Sequence, residues 1–198
     1  MTTRNLSWLE HIQSENKDFI NKITPSSLPA QRTPGSRAVI TCMDPRINLE
    51  AIGIPQFQPD GGFDDSTRII RTIGGMVEER SLIIGCFLAG IHEITVLMHT
   101  DCGCCVAFNK IDTIIERMED SIDPQKLESY KAGIGEPFKD NLRRRLKVFQ
   151  NPYEAVREEV ALIKSLPYAP EKLVVHGMVY VLETGKVDLV VDGYSLET

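Results

Sequence analysis

Two stretches decide the fold: RAVITCMDPR over residues 37–46 and ITVLMHTDCG over residues 94–103. Each opens with a short apolar run rich in β-branched residues and passes directly into cysteine, aspartate or histidine. Such runs predict buried strands, here Arg37–Thr41 and Ile94–His99. Each predicted strand therefore ends in a group of side chains that can carry chemistry.

The rest of the chain alternates similar runs with helical stretches. Two more strands and two helices are predicted, at Thr67–Thr72, Lys172–His176, Met76–Leu88 and Pro152–Leu166. A hairpin is predicted at the C-terminal end, with Val179–Leu182 and Val187–Val191 joined through Gly185. Because strands that alternate with helices form parallel sheets, we expect an α/β fold with a central, mostly parallel sheet flanked by helices.

Residues 1–36 are predicted to be an N-terminal helical arm and a linker, and residues 37–198 a single α/β domain. The arm is a helical stripe over Trp8–Ile23, and Thr24–Ser36 concentrates Pro, Ser and Gly as a loop does. The polar stretch Phe108–Gln150 is read as helical, with breaks at Pro124, Gly133, Gly135 and Pro137. A lid, an oligomer contact and a surface excursion all remain open for it.

The composition argues against nucleic acid and membrane partners. The net charge is -6, and Arg143-Arg144-Arg145, the one basic run, is read as a solvated helix face. The longest apolar run, Leu82–Ile91, has ten residues, whereas a membrane-spanning helix needs roughly 20. Acidic residues near the N-terminus do not suit a signal peptide, so we expect a cytoplasmic protein.

Five cysteines, an odd number, do not suggest a disulfide framework, so thiols or metal ligands are expected. Cys86 is read as a core residue. Cys104 and Cys105 could pack the following helix, line a substrate entrance or respond to redox conditions.

Cys42 directly follows one predicted strand, while His99 and Cys102 follow another. Ligands bind beyond the carboxyl ends of strands in an open parallel sheet, so these three side chains are expected to meet. Taken singly, a buried cysteine or a strand-end histidine is usually structural. Two thiolates and one imidazole together suit zinc, and three protein ligands leave a fourth position for water or substrate. The pattern therefore predicts a catalytic metal site.

The motifs Cys42-x-Asp44-x-Arg46 and His99-x-x-Cys102-Gly103 resemble those of the β-class carbonic anhydrases. Residues 71–75, RTIGG, stand where that family has Arg-Asn-Ala-Gly, and residues 176–180 and 184–186 are similar to its C-terminal strand and hairpin. The resemblance covers residues 37–110 and 152–191. It implies that family's fold, a zinc cofactor and a zinc-binding catalytic domain over residues 37–198.

The resemblance also implies a role for each matching residue. Cys42, His99 and Cys102 would hold Zn²⁺, and Asp44 would accept a hydrogen bond from the zinc-bound hydroxide. Arg46 would hold Asp44 through a bidentate ion pair and keep it ionised. In the closed form of some family members the aspartate binds the metal instead, and Asp44 is the residue that could do so.

Four residues are assigned to the substrate pocket: Ile73, Gly74, Gly103 and Cys104. Asp101 is read as a turn residue or a hydrogen-bond partner beside the ligands. His176 is read as structural rather than as a proton shuttle.

The resemblance implies reversible hydration of carbon dioxide to bicarbonate by a zinc hydroxide. Hydrolysis of carbonyl sulfide or carbon disulfide at the same site, to hydrogen sulfide and carbon dioxide, is the alternative. Thr72-Ile73 in place of Asn-Ala, Pro45 between Asp44 and Arg46, and an extra loop at Gln56–Asp65 depart from the family pattern. Since an apolar pocket separates such substrates weakly, both alternatives stay open.

A non-catalytic zinc or thiol-sensing protein is a more distant hypothesis. Asp44 and Arg46 argue against it, because a structural zinc site takes a fourth Cys or His. The arm of family members crosses to a neighbouring subunit, so the resemblance implies a homodimer or homotetramer. Its other partners would be water and the small-molecule substrate.

Overall fold

The computed structural model describes residues 7–22, 35–54 and 66–196. Helix α1 (Trp8–Lys22) confirms the predicted N-terminal helix to within one residue. The loop predicted at Thr24–Ser36, apart from its last two residues, lies outside the described residues, as does the insertion at Gln56–Asp65. The division into an arm with linker and a domain from residue 37 stays a prediction.

The described residues contain one five-stranded sheet with the strand order β2-β1-β3-β4-β5. The strands are β1 (Arg37–Cys42), β2 (Thr67–Thr72), β3 (Glu93–His99), β4 (Val174–Val181) and β5 (Lys186–Val191). The first four strands are parallel, and β5 runs antiparallel to β4. This confirms the expected mostly parallel sheet and the C-terminal hairpin, whose turn contains Gly185 at a φ of 71°.

Six further helices follow in the described part of the chain. They are α2 (Glu79–Phe87), α3 (Gly103–Asn109), α4 (Ile111–Ser121), α5 (Pro124–Ile134), α6 (Phe138–Leu146) and α7 (Pro152–Ser165). Short 3-10 turns occupy Glu50–Ile52, Ile73–Gly75 and Gly193–Leu196. The Asn151 side chain caps α7 by accepting a hydrogen bond from one backbone N–H of the first turn, and Asp123 caps α5 by accepting two. A proline follows each cap.

Two predicted boundaries in the helical segments were wrong. Gly133 does not interrupt the polar excursion but lies inside α5, and Gly135, at a φ of 81°, ends that helix. The helix predicted from Met76 begins only at Glu79, because Met76 is extended and the Val77 N–H is bonded to the Glu159 carboxylate at 2.6 Å.

The fourth strand was also placed wrongly. Strand β4 begins at Val174 and continues through Gly177 to Val181, so the two runs predicted separately form one strand. The glycine does not break it because β4 is paired on both sides, with β3 and with β5.

The main core lies between the sheet and α7. Its fully buried members include Ile40, Val96, Val156, Val175 and Val179. Alternate positions of the same strands, such as Val39 and Leu97, belong to a second cluster that also contains Cys42 and Cys102. The loops at the carboxyl edge of the sheet are therefore anchored in packed core.

Among the helices of the described residues, none has the length and apolar character needed to cross a membrane.

Gly177 lies on β4 where α7 packs against it. A Cβ added there would be 3.1 Å from a methyl of Val160 and 3.2 Å from one of Val156. We expect Gly177→Val to lower the free energy of unfolding by about 1–3 kcal/mol, because a packed core tolerates added volume poorly. Urea denaturation measures this change.

Gly133→Ala provides the matched control for that substitution. A Cβ at Gly133 meets no atom within 4 Å, and alanine stabilises a helix interior by up to about 1 kcal/mol relative to glycine. Equal stability of Gly177→Val and the unsubstituted protein would contradict this account of the α7 contact.

Candidate metal centre

The sheet brings together the three side chains predicted to bind a metal. Cys42 ends β1 and His99 ends β3, and because these strands are parallel neighbours their carboxyl ends share one edge. Cys102 follows as the N-cap of α3. The ligating atoms of the three residues all lie within 4.8 Å of one another, and the residues are only 5%, 0% and 1% exposed.

His99 presents a free nitrogen to this cluster. Its Nδ1 lies 2.8 Å from the carbonyl oxygen of Thr100, which can only accept, so Nδ1 carries the proton. Nε2 is therefore left with a lone pair, and it is buried without a hydrogen-bond partner. A buried nitrogen without a partner is costly, and a metal ion would satisfy it.

The two sulfurs are spaced as a tetrahedral ion requires. Cys42 Sγ and Cys102 Sγ are 4.0 Å apart, while two sulfurs about 2.3 Å from one zinc ion would be about 3.8 Å apart. The pKa of Cys42 is raised to about 11 by its hydrogen bond with Cys102 and by burial. A hydrogen bond with the Cys104 side chain is the main cause that raises the pKa of Cys102 to about 11. A bound cation would instead convert both thiols to thiolates.

Asp44 and Arg46 form the bidentate pair that the sequence predicted. Arg46 Nε donates to Asp44 Oδ1 at 2.9 Å and Nη2 donates to Oδ2 at 2.7 Å. The Arg46 backbone N–H adds a third bond to Oδ1 at 2.9 Å. These hydrogen bonds hold the pKa of Asp44 well below its usual range, so the carboxylate stays ionised.

Arg46 also connects the two loops that carry the cluster. Its Nη1 donates to Asp101 Oδ2 at 2.8 Å, and its Nη2 donates to the Asp101 carbonyl oxygen at 3.0 Å. Asp101 has a φ of 49°, a conformation that aspartate adopts more readily than most residues. The predicted turn residue is thus also a direct partner of Arg46.

Arg71 is a contact of the site that the sequence interpretation missed. It lies on β2 and donates to the carbonyl oxygens of Cys42 at 3.0 Å, Asp44 at 3.3 Å and Ile47 at 3.3 Å. The sequence feature that could have identified Arg71 is its position as the first residue of the RTIGG stretch. Because the Arg71 side chain donates to three carbonyl oxygens, it holds the backbone of the loop that carries Cys42 and Asp44 in one conformation.

The four predicted pocket residues differ in accessibility. Ile73 is 66% exposed, and Gly103 has no atom within 4 Å of where its Cβ would lie. Gly74 is buried, with a φ of 73°, and a Cβ there would lie 2.7 Å from Cys104 Sγ. Cys104 is buried, and its sulfur packs against Gly74.

Glu159 and Phe149 support the same turn, and nothing in the sequence marked them. Buried Glu159 on α7 holds the Val77 N–H, while the Phe149 ring lies 3.2 Å from the Cβ position of Gly74. The excursion before α7 therefore packs against the turn beside the candidate site. The five cysteines are all free, with no disulfide between them.

Comparison with known proteins agrees with this geometry. A family model described as "Carbonic anhydrase" matches residues 37–187. The chain is 27% identical to the Bacillus subtilis (strain 168) protein YtiB, over 96% of this chain and 100% of that one. It is 30% identical to a carbon disulfide hydrolase of Acidianus sp. (strain A1-3), over 74% of this chain and 72% of the hydrolase.

A solved structure extends the comparison to the fold. The carbonic anhydrase of Streptococcus mutans superimposes with a TM-score of 0.68 at 28% identity, over 95% of this chain and 100% of that chain. The architecture around the cluster is therefore shared with an enzyme of known structure.

Replacing Arg46 should change the acidity of Asp44. The Arg46 side chain is the largest cause that lowers the Asp44 pKa, so Arg46→Gln should raise that pKa toward an ordinary value of about 4. Carboxyl-carbon NMR through acid pH measures the shift. Because a lowered pKa stabilises the fold above the ordinary carboxyl pKa, the stability lost in Arg46→Gln should shrink as the pH falls.

Arg145→Gln serves as the control, since Arg145 is an exposed cation on α6. It should leave the Asp44 titration unchanged. The same Asp44 pKa in Arg46→Gln and the unsubstituted protein would contradict the assigned pairing.

Proposed function

The chain belongs to the β-class carbonic anhydrase family, and on that premise we propose that it is a zinc enzyme that reversibly hydrates carbon dioxide to bicarbonate. The observation that carries the proposal is the buried cluster of Cys42, His99 and Cys102, with His99 Nε2 free of any hydrogen bond. Such a donor set suits zinc and leaves one of four tetrahedral positions open.

A bound zinc ion would supply a nucleophile at neutral pH by lowering the pKa of water from about 15.7 to about 7. The surrounding protein sets the protonation and the orientation of the metal ligands. Thr100 fixes the proton of His99 on Nδ1, and the backbone N–H of Cys104 donates to the Cys102 sulfur at 3.5 Å. These contacts orient the ligands and spread the thiolate charge.

Asp44 is proposed to accept a hydrogen bond from the attacking oxygen and so to direct the oxygen lone pair at the substrate carbon. It can do so because Arg46 keeps it ionised and because its side chain is 16% accessible. Both of its oxygens are already bound by Arg46. This arrangement supports the open form, in which Asp44 is not a metal ligand.

Hydrolysis of carbonyl sulfide or carbon disulfide is a second candidate. The relationship to carbon disulfide hydrolases at 27–30% identity favours it, and so does exposed, apolar Ile73 beside the turn at Gly74. Water would add to the same kind of electrophilic carbon. The thiocarbonate formed from carbonyl sulfide would then break its C–S bond and release hydrogen sulfide and carbon dioxide, and carbon disulfide would first release hydrogen sulfide and carbonyl sulfide.

We also propose that the chain assembles as a homodimer or a larger even oligomer. Trp8, Ile12 and Phe19 of α1 are 74%, 46% and 46% exposed, and Phe87 and Leu88 at the end of α2 are 67% and 77% exposed. Apolar side chains so exposed are typical of an interaction surface. A monomer in light scattering would contradict this assembly.

Cys42→Ser tests the metal ligands. We expect the purified protein to hold about one zinc ion per chain and the variant to bind zinc at least about tenfold more weakly, because a hydroxyl replaces the thiolate. Elemental analysis and competition with a chelator measure this. Cys86→Ser, at a half-buried cysteine away from the cluster, should keep its zinc. Undiminished zinc affinity in Cys42→Ser would refute the ligand assignment.

Asp44→Asn tests the reaction. Its zinc content should stay unchanged while kcat/KM falls by about 100-fold or more, because the amide donates where the carboxylate accepts. Carbon dioxide hydration and hydrogen sulfide release from carbonyl sulfide are measured in parallel. Asp112→Asn, at an exposed pair with Lys139, should retain full activity.

The parallel assays also distinguish the candidate functions. The faster of the two reactions in the unsubstituted protein identifies the substrate. A protein with a full complement of zinc and neither activity would instead be a non-catalytic zinc or thiol-sensing protein.

A further inference from the structure

A groove of about 450 Å³ runs along α3 and α4 from the edge of the candidate site. Gly103, the residue after Cys102, lies in its lining, and so do Lys110 and Arg117. Within each helix the lining residues recur three or four positions apart and so share one face, and Lys110 lies between the two helices.

The groove is open where it meets the site. Gly103 is exposed, and no atom lies within 4 Å of where its Cβ would be. The next turn contributes Val106, which is 45% exposed. The groove thus begins at the residue that follows Cys102.

The lining of the groove includes two cations and no carboxylate. Lys110 and Arg117 are both exposed, and across residues 7–22, 35–54 and 66–196 no carboxylate forms an ion pair with either. By contrast, Lys139 on the neighbouring helix α6 is paired with Asp112 at 2.6 Å. The nearby carboxylate of Asp101 is already bound by Arg46.

Lys110 and Arg117 lie in one cleft of a chain whose net charge is -6. Such a cleft raises the local concentration of anions and repels cations, and salt screens the effect. Neutral carbon dioxide and carbonyl sulfide gain nothing from it, whereas an anion does.

We propose that this groove binds small monovalent inorganic anions, bicarbonate above all, on their way between the catalytic site and solvent. The inference rests on the proposed function for the identity of the anion, since bicarbonate is the product of hydration and the substrate of dehydration. Lys110 and Arg117 attract the anion, and the open backbone at Gly103 passes it to the site.

The test compares two double variants of equal net charge. Lys110→Gln with Arg117→Gln removes both groove cations, and Lys126→Gln with Arg145→Gln removes two exposed cations of α5 and α6. In dehydration at low ionic strength, the groove variant should show a KM for bicarbonate about 3- to 10-fold higher than the unsubstituted protein. The difference should vanish at high salt, and the control variant should show no change.

A binding measurement that does not depend on turnover accompanies the kinetics. Sodium bicarbonate is titrated into the full-length protein at constant ionic strength, and the backbone amide signals of Lys110, Thr113 and Arg117 are followed by NMR. Saturable shifts are expected in the unsubstituted protein and the control variant, and their loss is expected in the groove variant.

Failure of the inference and failure of the proposed function give different results. Unchanged shifts in the groove variant, an equal loss in the control variant, or no saturable shifts in the unsubstituted protein would overturn the anion groove. Absence of both carbon dioxide hydration and carbonyl sulfide hydrolysis would overturn the proposed function. In that case the titration alone would decide whether the groove binds bicarbonate.

Discussion

The parallel pairing of β1 with β3 is the constraint on which the rest of the structure depends. It places the last residues of both strands, Cys42 and His99, at one edge of the sheet. Cys102 joins them because α3 starts immediately beyond that edge. Buried in the core, the three side chains have little freedom to separate, so the cluster is formed before any ion binds.

Around this cluster, arginines hold the loops in place. Arg46 connects the loop after β1 with the loop after β3 through Asp44 and Asp101. Arg71 gathers three carbonyl oxygens of the first loop from the neighbouring strand. Loops are usually the least ordered parts of a domain. Here charge-assisted hydrogen bonds, stronger than neutral ones, give them the rigidity that a catalytic geometry requires.

Neighbouring residues of the candidate site differ sharply in burial and charge. His99 and the thiols of Cys42 and Cys102 are buried. Asp44 nearby stays ionised, and Gly103 is exposed to solvent. Under the proposed function, neutral carbon dioxide enters the site without electrostatic help, whereas bicarbonate leaves it as an anion. Lys110 and Arg117, which line the groove that begins at Gly103, are suited to that second task.

By itself, the sequence determined the α/β class, the parallel sheet and the edge at which Cys42, His99 and Cys102 would meet, because strand patterns and the geometry of parallel sheets are local rules. It also paired Asp44 with Arg46, two residues apart. Only the tertiary structure decided the start of α2, the continuity of β4 through Gly177, and the contacts of Arg71 and Glu159. Those features depend on contacts between residues distant in sequence, and no local pattern encodes which distant group a backbone N–H or an arginine will find.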